Sequence, residues 1–149
     1  MNPNLVILSK HVGFQTDPDF ILPLTAVQRL VLRGRRQTSC GMDVLLQIPR
    51  DYVLKPGDCL SDEAHSVIVQ VTAATEHLMR VTAQSSIDLM KAAFHLGNRH
   101  VEVELHEHEL FLLQDSVLKF MLEGLGLHVG FCLRSFYPES GAYAGHHSS

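Results

Sequence analysis

His77-Leu78-Met79-Arg80-Val81-Thr82, followed by Ser85-Ser86-Ile87-Asp88, is where the chain turns from strand to helix. The first segment is short and mixes aliphatic, β-branched and polar residues, as strands do. The second sets a serine three residues ahead of an acid, close to a capping box that satisfies the free amides of a helix start. Ile87, Met90 and Phe94, with Ala92 and Ala93 between them, predict a helix of about three turns. Phe94 falls on its core side, and Gly97 is the expected stop. Val101, Val103 and Leu105 then alternate with Glu102 and Glu104, the pattern of a strand with one polar face. His106-Glu107-His108-Glu109 reads as a turn and Leu110 to Leu113 as the returning strand. Asp115-Ser116 caps a second helix, in which Val117, Leu118, Met121, Leu122 and Leu125 keep a helical period until Gly126. Val129, Phe131 and Leu133 form a last strand. The order β-α-β-β-α-β predicts an α+β, ferredoxin-like domain, an antiparallel sheet with two helices on one face. Each crossover is long enough to hold a helix, as parallel neighbours require.

Upstream, the pattern is β. Leu5 to Leu8, Val27 to Leu32, Val44 to Ile48 and Val67 to Val71 are short runs rich in aliphatic and β-branched residues. Asp17-Pro18-Asp19 breaks them, and Lys55-Pro56-Gly57-Asp58 is a strong turn signal because proline presets φ and glycine accepts a positive one. No helical period of useful length precedes residue 84, and Arg33, Arg35 and Arg36 read as a solvated loop able to dock an acidic partner. The expected organisation is an all-β N-terminal domain over 1–75, the ferredoxin-like domain over 76–135 and a tail over 136–149. Domains of this size are marginal alone, so oligomerisation would help both.

Composition narrows the function. The 149 residues carry 16 acidic and 12 basic groups, for a net charge of −4. That argues against a general nucleic-acid binder, which wants a basic surface. No apolar run approaches the roughly 18 residues of a spanning helix, and the start of the chain lacks a basic region and a long apolar stretch. No membrane role is expected. Three widely spaced cysteines with no CxxC make no disulfide framework, which fits a reducing cytoplasm; each reads as a small buried hydrophobe. Ten histidines stand out, because imidazole is the commonest metal ligand. HExxH, a P-loop and GxSxG are all absent, so nothing nominates an enzyme.

Two segments concentrate the signal. Phe94-His95-Leu96-Gly97-Asn98-Arg99-His100 places one histidine beside Phe94 and another past the glycine, where its side chain can face a partner. Phe136-Tyr137-Pro138-Glu139-Ser140-Gly141-Ala142-Tyr143-Ala144-Gly145-His146-His147-Ser148-Ser149 ends in adjacent histidines on a small-residue arm, which suggests a mobile metal-binding tail. His106 and His108, among Glu102, Glu104, Glu107 and Glu109, read as a solvated hairpin tip or a weak peripheral cation site.

Taken together, His95-Leu96-Gly97-Asn98-Arg99-His100, then Phe136-x-Pro138-Glu139-x-Gly141-Ala142-Tyr143 and terminal histidines, resemble the urease accessory protein UreE family. The likeness runs essentially the whole chain and includes the Lys55-Pro56-Gly57-Asp58-Cys59-Leu60 turn. It implies a cytoplasmic nickel metallochaperone, a homodimer through its second domain, that delivers Ni²⁺ to the urease apoprotein in an assembly with an accessory GTPase. It implies a first domain like the peptide-binding domain of heat-shock chaperones. It makes His100 the metal ligand, shared by two copies across a dimer axis and completed by His146 and His147. Imidazole itself suits Ni²⁺, Zn²⁺ and Cu²⁺ alike. Pairing into a dimer of dimers on metal loading is a further expectation. The tail lacks the long histidine run of some relatives, so few ions and little storage are expected. Leu112 to Ser116 also lacks the histidine that some relatives carry there. The competing reading is a protein-interaction module or holdase with incidental metal binding. A metal-dependent hydrolase would need a base such as Glu102 near His100.

Overall fold

A computed structural model of the chain describes residues 5–140. Its backbone divides into two compact units, Met1–Ala74 and Thr75–Ser149. Among the described residues no helix is long and apolar enough to cross a membrane.

The first unit contains β1 (Val6–Leu8), β2 (Lys10–Gly13), β3 (Phe20–Leu24), α1 (Ala26–Leu30), β4 (Arg33–Gln37), β5 (Asp43–Gln47), β6 (Cys59–Ser61) and β7 (Ile68–Ala73). They form two sheets, in the orders β1-β5-β4 and β2-β6-β7-β3. Leu8, Leu22, Leu24, Val44, Leu46, Ile48, Leu60, Val69 and Val71 make the core. The turn at Pro56-Gly57 closes through Asp58 N–H to Lys55 O at 3.0 Å, with Gly57 at φ 100°.

The strand expected over Val27 to Leu32 is instead the single-turn helix α1. Its cause is local. Thr25 Oγ1 accepts from Gln28 N–H at 3.2 Å, and Gln28 Oε1 accepts from Thr25 N–H at 3.0 Å, a reciprocal capping box. The strand begins later, and Arg33, Arg35 and Arg36 lie on β4 rather than in a loop. Further on, Asp62 closes a loop by accepting from the Ser66 hydroxyl and from Ser66 N–H at 2.7 Å. The Ser66 hydroxyl holds the Asp62 carboxyl below the usual aspartate range. A depressed folded-state value contributes stability above about pH 3.9 that is lost as pH falls through the folded value. Ser66→Ala should therefore move the Asp62 titration upward in carboxyl NMR; an unmoved titration would contradict this account.

The second unit contains β8 (Thr75–Thr82), α2 (Ser86–Asn98), β9 (Glu104–Leu105), β10 (Leu110–Leu113), α3 (Ser116–Gly124) and β11 (His128–Ser135). Ser85 Oγ accepts from Asp88 N–H and Asp115 Oδ1 from Leu118 N–H, so both helices start at the caps read from the sequence. The sheet order is β11-β8-β10-β9, and every pairing is antiparallel. The strands joined by each helix are parallel but not neighbours; an antiparallel strand lies between them. Met79, Val81, Leu110, Leu112 and Val129 of the sheet pack with Leu89, Ala92 and Leu96 of α2 and Leu122 of α3.

Two local expectations change here. The buried side of α2 is Leu89, Ala92 and Leu96, whereas Ile87, Met90 and Phe94 are 53%, 65% and 64% exposed. The strand expected from Val101 shrinks to Glu104–Leu105 because residues 99–103 form the end of the helix and its exit.

Candidate metal centre

The helix α2 does not stop at Gly97. It continues to Asn98, with Arg99 as its C-cap. His100 N–H then donates to Gly97 O at 3.0 Å, and Val101 N–H reaches back to Leu96 O, also at 3.0 Å. This double closure is a Schellman motif, which needs a left-handed residue at the position of His100. His100 takes that conformation at φ 58°. Leu96 is fully buried, and Val101 packs against the same core, which supplies the apolar contact that accompanies such a turn.

The helix α3 ends in the same way. Gly126 N–H donates to Glu123 O, Leu127 N–H to Leu122 O, and Gly126 sits at φ 86°. One unit therefore holds two copies of a single turn, with glycine in one and histidine in the other. Glycine enters left-handed backbone without a Cβ penalty, whereas another residue there costs about 1–2 kcal/mol. His100 is thus a locally strained choice, which the packing of Leu96 and Val101 sustains.

The strain fixes where the imidazole stands. It is exposed at the C-terminal end of a 13-residue helix, where the partial negative charge of the helix favours a cation. Among the described residues it takes no hydrogen bond and no ion pair. His95 is also exposed, with its ring edge-on to Phe94, because the Phe94 face of α2 points outward. Among the described residues no group of three or more His, Cys, Asp or Glu side chains is placed to hold an ion. An ion held at His100 would therefore need ligands from outside the described residues. His146 and His147 lie outside the described residues.

His106 and His108 are not brought together. The stretch turns, with His106 N–H donating to Glu109 O. His106 Nε2 goes to Glu104, while exposed His108 lies 3.7 Å from Glu107. Glu104, expected on a polar face, is only 4% exposed and also takes Arg134 Nη2 at 2.9 Å and Tyr137 N–H at 2.8 Å. The sequence signal for this lay across the sheet. Leu78 and Phe111 point to the same side as Glu104 and are also buried, so that side is covered around Glu104 although Arg80 and Leu113 on it are exposed.

The cysteines differ from one another. Cys59 is buried, Cys132 is intermediate and Cys40 is exposed. A hydrogen bond with the Thr38 hydroxyl lowers the Cys40 thiol from its ordinary value. Cys40 is thus not the buried hydrophobe its spacing suggested.

Comparison with known proteins places these features in a group. Residues 76–149 match the family model of the UreE urease accessory protein, C-terminal domain. The chain is 56% identical over 147 residues to the urease accessory protein UreE of Parasynechococcus marenigrum (strain WH8102), covering 98% of each chain. It is 61% identical over 125 residues to that of Synechococcus sp. (strain CC9311), covering 84% of this chain and 81% of the relative. With that of Prochlorococcus marinus (strain AS9601) the identity is 42% over 123 residues, 83% of each chain. These relatives are named as accessory proteins and not as enzymes.

Proposed function

The chain belongs to the UreE family of urease accessory proteins, and from that premise we propose that it carries nickel to the urease apoprotein in the cytoplasm, as a homodimer working with an accessory GTPase. The observation that carries this reading is His100, an exposed imidazole without a partner among the described residues, held in left-handed backbone at a helix end. A second supports the dimer. Ile87, Met90 and Phe94 form an exposed apolar stripe along α2, and α2 ends at the His100 turn. In a two-fold dimer such a stripe meets its own copy, which brings two His100 side chains toward one axis.

The mechanism is capture and release. Two imidazoles across the axis hold one ion, and tail imidazoles complete its coordination. The start of the tail lies close by, because Glu139 N–H donates to Val103 O at 2.8 Å, and Val103 is three residues from His100. His146 follows Glu139 by seven residues, an extended reach of roughly 23 Å. A site built from few ligands exchanges its ion readily; the closed cage of a structural zinc site would not. Nickel as cargo follows from the family; the donors alone also accept Zn²⁺ and Cu²⁺. Imidazole binds metal only when neutral, so capture should weaken below about pH 6.

The wild type should sediment as a dimer and take up one tight Ni²⁺ per two chains, with further dimer pairing on loading. Phe94→Asp puts a charge into the stripe without touching His100. It should raise the dimer dissociation constant by about tenfold or more and convert tight uptake into weak uptake by single chains. A dimer of wild-type affinity in Phe94→Asp would remove α2 from the interface.

A second reading rests on a separate patch. Val27, Leu30 and Val31 are exposed beside Arg33 and Arg35 on the edge strand β4, which suits a partner that is apolar and acidic. In that reading the first unit docks the assembly as an interaction module or holdase. Leu30→Asp would then abolish urease activation in cells while leaving the Ni²⁺ isotherm unchanged.

A further inference from the structure

We propose that the cleft between α2 and the β9–β10 hairpin is where the protein that receives the metal docks, and that it takes a large apolar side chain flanked by a lysine or arginine. This rests on the reading of the chain as a metal carrier. The observation is a different one, an apolar cleft with an acceptor-rich mouth.

The helix α2 lies on the sheet by Leu89, Ala92 and Leu96. The strand β9 is an edge of that sheet and holds only Glu104–Leu105. Between helix and hairpin remains a cleft of about 240 Å³, walled by Leu89, Met90 and Ala93 on one side and by Leu105 and Leu110 on the other. An engineered apolar cavity of about 150 Å³ takes up benzene, so this one has room for an aromatic or long aliphatic side chain. Met90 and Leu105 are both exposed, and unbranched Met90 adapts to the shape of what enters. The mouth sets the charge. Its polar side chains are Ser86, His106, Glu107 and Glu109, and no lysine or arginine lines it. Glu109 is held by Arg80. Glu107 is exposed, and among the described residues its one ion-pair partner is exposed His108, 3.7 Å away. An apolar cleft rimmed in this way is matched by an apolar side chain beside donors of positive charge, which lysine and arginine supply.

The mouth is also preformed. His106 has its Nε2 turned to buried Glu104 and its ring edge-on to Phe111, so the imidazole is fixed. Its Nδ1 takes no hydrogen bond among the described residues, and with the proton drawn to Nε2 it is an acceptor. Position gives the cleft its role. Successive residues of a helix turn by about 100°. Ile87 and Phe94 of the exposed stripe therefore share one direction, and Ser86 and Ala93 of the cleft point about 100° to the side, with Met90 between them. A second copy lying along the stripe does not fill the cleft. Ala93 precedes His100 by seven residues, roughly 10 Å along the helix. A partner anchored in the cleft stands beside the metal, and a two-fold dimer presents two such clefts.

The test reads urease activation in cells lacking their own copy of the protein, beside Ni²⁺ calorimetry and sedimentation of the purified full chain. Ala93→Leu fills the cleft from its helical wall. Activation should fall about tenfold or more, as for a residue at the centre of an interface. The first Ni²⁺ event and the dimer should stay within about twofold of wild type. Ala93 packs partly against the core, so Glu107→Lys, at an exposed side chain, carries the test if Ala93→Leu does not fold. It should lower activation about fivefold or more by setting like charges against each other. Glu123→Lys on α3 is the control for charge alone and should activate like wild type. Wild-type activation in both cleft variants would overturn this proposal and leave the carrier reading intact. A weakened first Ni²⁺ event in them would make the cleft part of the metal site, and a weakened dimer would seat the second copy in it; either result would also overturn the proposal. Absence of tight Ni²⁺ binding by the wild type would end the carrier reading itself.

Discussion

Replacing His100 with glycine will leave the protein folded and slightly more stable, and will remove its tightest Ni²⁺ binding event. Both halves follow from one turn. Left-handed backbone at His100 costs about 1–2 kcal/mol, which glycine relieves. Glycine also loosens the unfolded chain, which takes back about 0.4–1 kcal/mol. The net gain is about 0.5–1 kcal/mol, or a few degrees in melting temperature for a unit of this size. The equivalent turn after α3 already has this arrangement, with Gly126 at φ 86°. Alanine at position 100 keeps the strained φ and should be close to neutral for stability. Both variants lose the imidazole, and in a shared site each change removes two ligands per ion. The expected fall in first-event affinity is on the order of a hundredfold or more, as for loss of coordinating or supporting groups in metal sites. Calorimetric titration with Ni²⁺, alongside thermal melts of the apo-proteins, reads both. A wild-type isotherm in either variant would end the assignment of His100. A destabilised glycine variant would contradict the strain.

Where sequence and structure part, the sequence signal was local and the deciding contact was not. Ser85 and Asp115 were legible as caps because a cap is satisfied by an amide three residues away. The Thr25–Gln28 box is equally local, but the strand expectation rested on the aliphatic run from Val27 alone. Gly97 attracted the helix end because glycine is the usual left-handed residue. The left-handed residue is His100, where buried Leu96 and partly buried Val101 on both sides of the turn over-determine it. The buried face of α2 differs from the expected one for a related reason. Ile87, Met90 and Phe94 are larger than Ala92 and outwardly as apolar as Leu89 and Leu96. Two apolar stripes ran along one helix, and periodicity cannot say which of them meets the unit's own sheet. Glu104 was invisible because its partners Arg134 and Tyr137 are 30 and 33 residues away. The βαββαβ order survived all of this, since it depends on element succession and crossover length and not on any single face or end.

Leu96→Ala should be the most damaging single change to the second unit and should also weaken metal capture, although it leaves His100 in place. Leu96 is fully buried among Leu89, Ala92, Leu112 and Leu122, and its carbonyl receives Val101 N–H in the His100 turn. Truncating a core leucine costs about 2–5 kcal/mol, depending on how far the cavity collapses. Against a total of about 5–15 kcal/mol for a domain, that is a large share, worth 10 °C or more in melting temperature. The effect on metal comes from the turn. Without the leucine side chain, Val101 loses its apolar neighbour and left-handed backbone at His100 is no longer over-determined. The control is built into the fold. Leu122 occupies the same position before the Gly126 turn, is also fully buried, and receives Leu127 N–H. Leu122→Ala should destabilise by a comparable amount, but its turn holds a glycine that needs no support and carries no imidazole. In denaturant titrations the two variants should fall together. In Ni²⁺ titrations under conditions where both are folded, Leu96→Ala alone should show a weakened first event. Equal metal affinity in the two would mean that the His100 turn holds its shape without the packing beneath it.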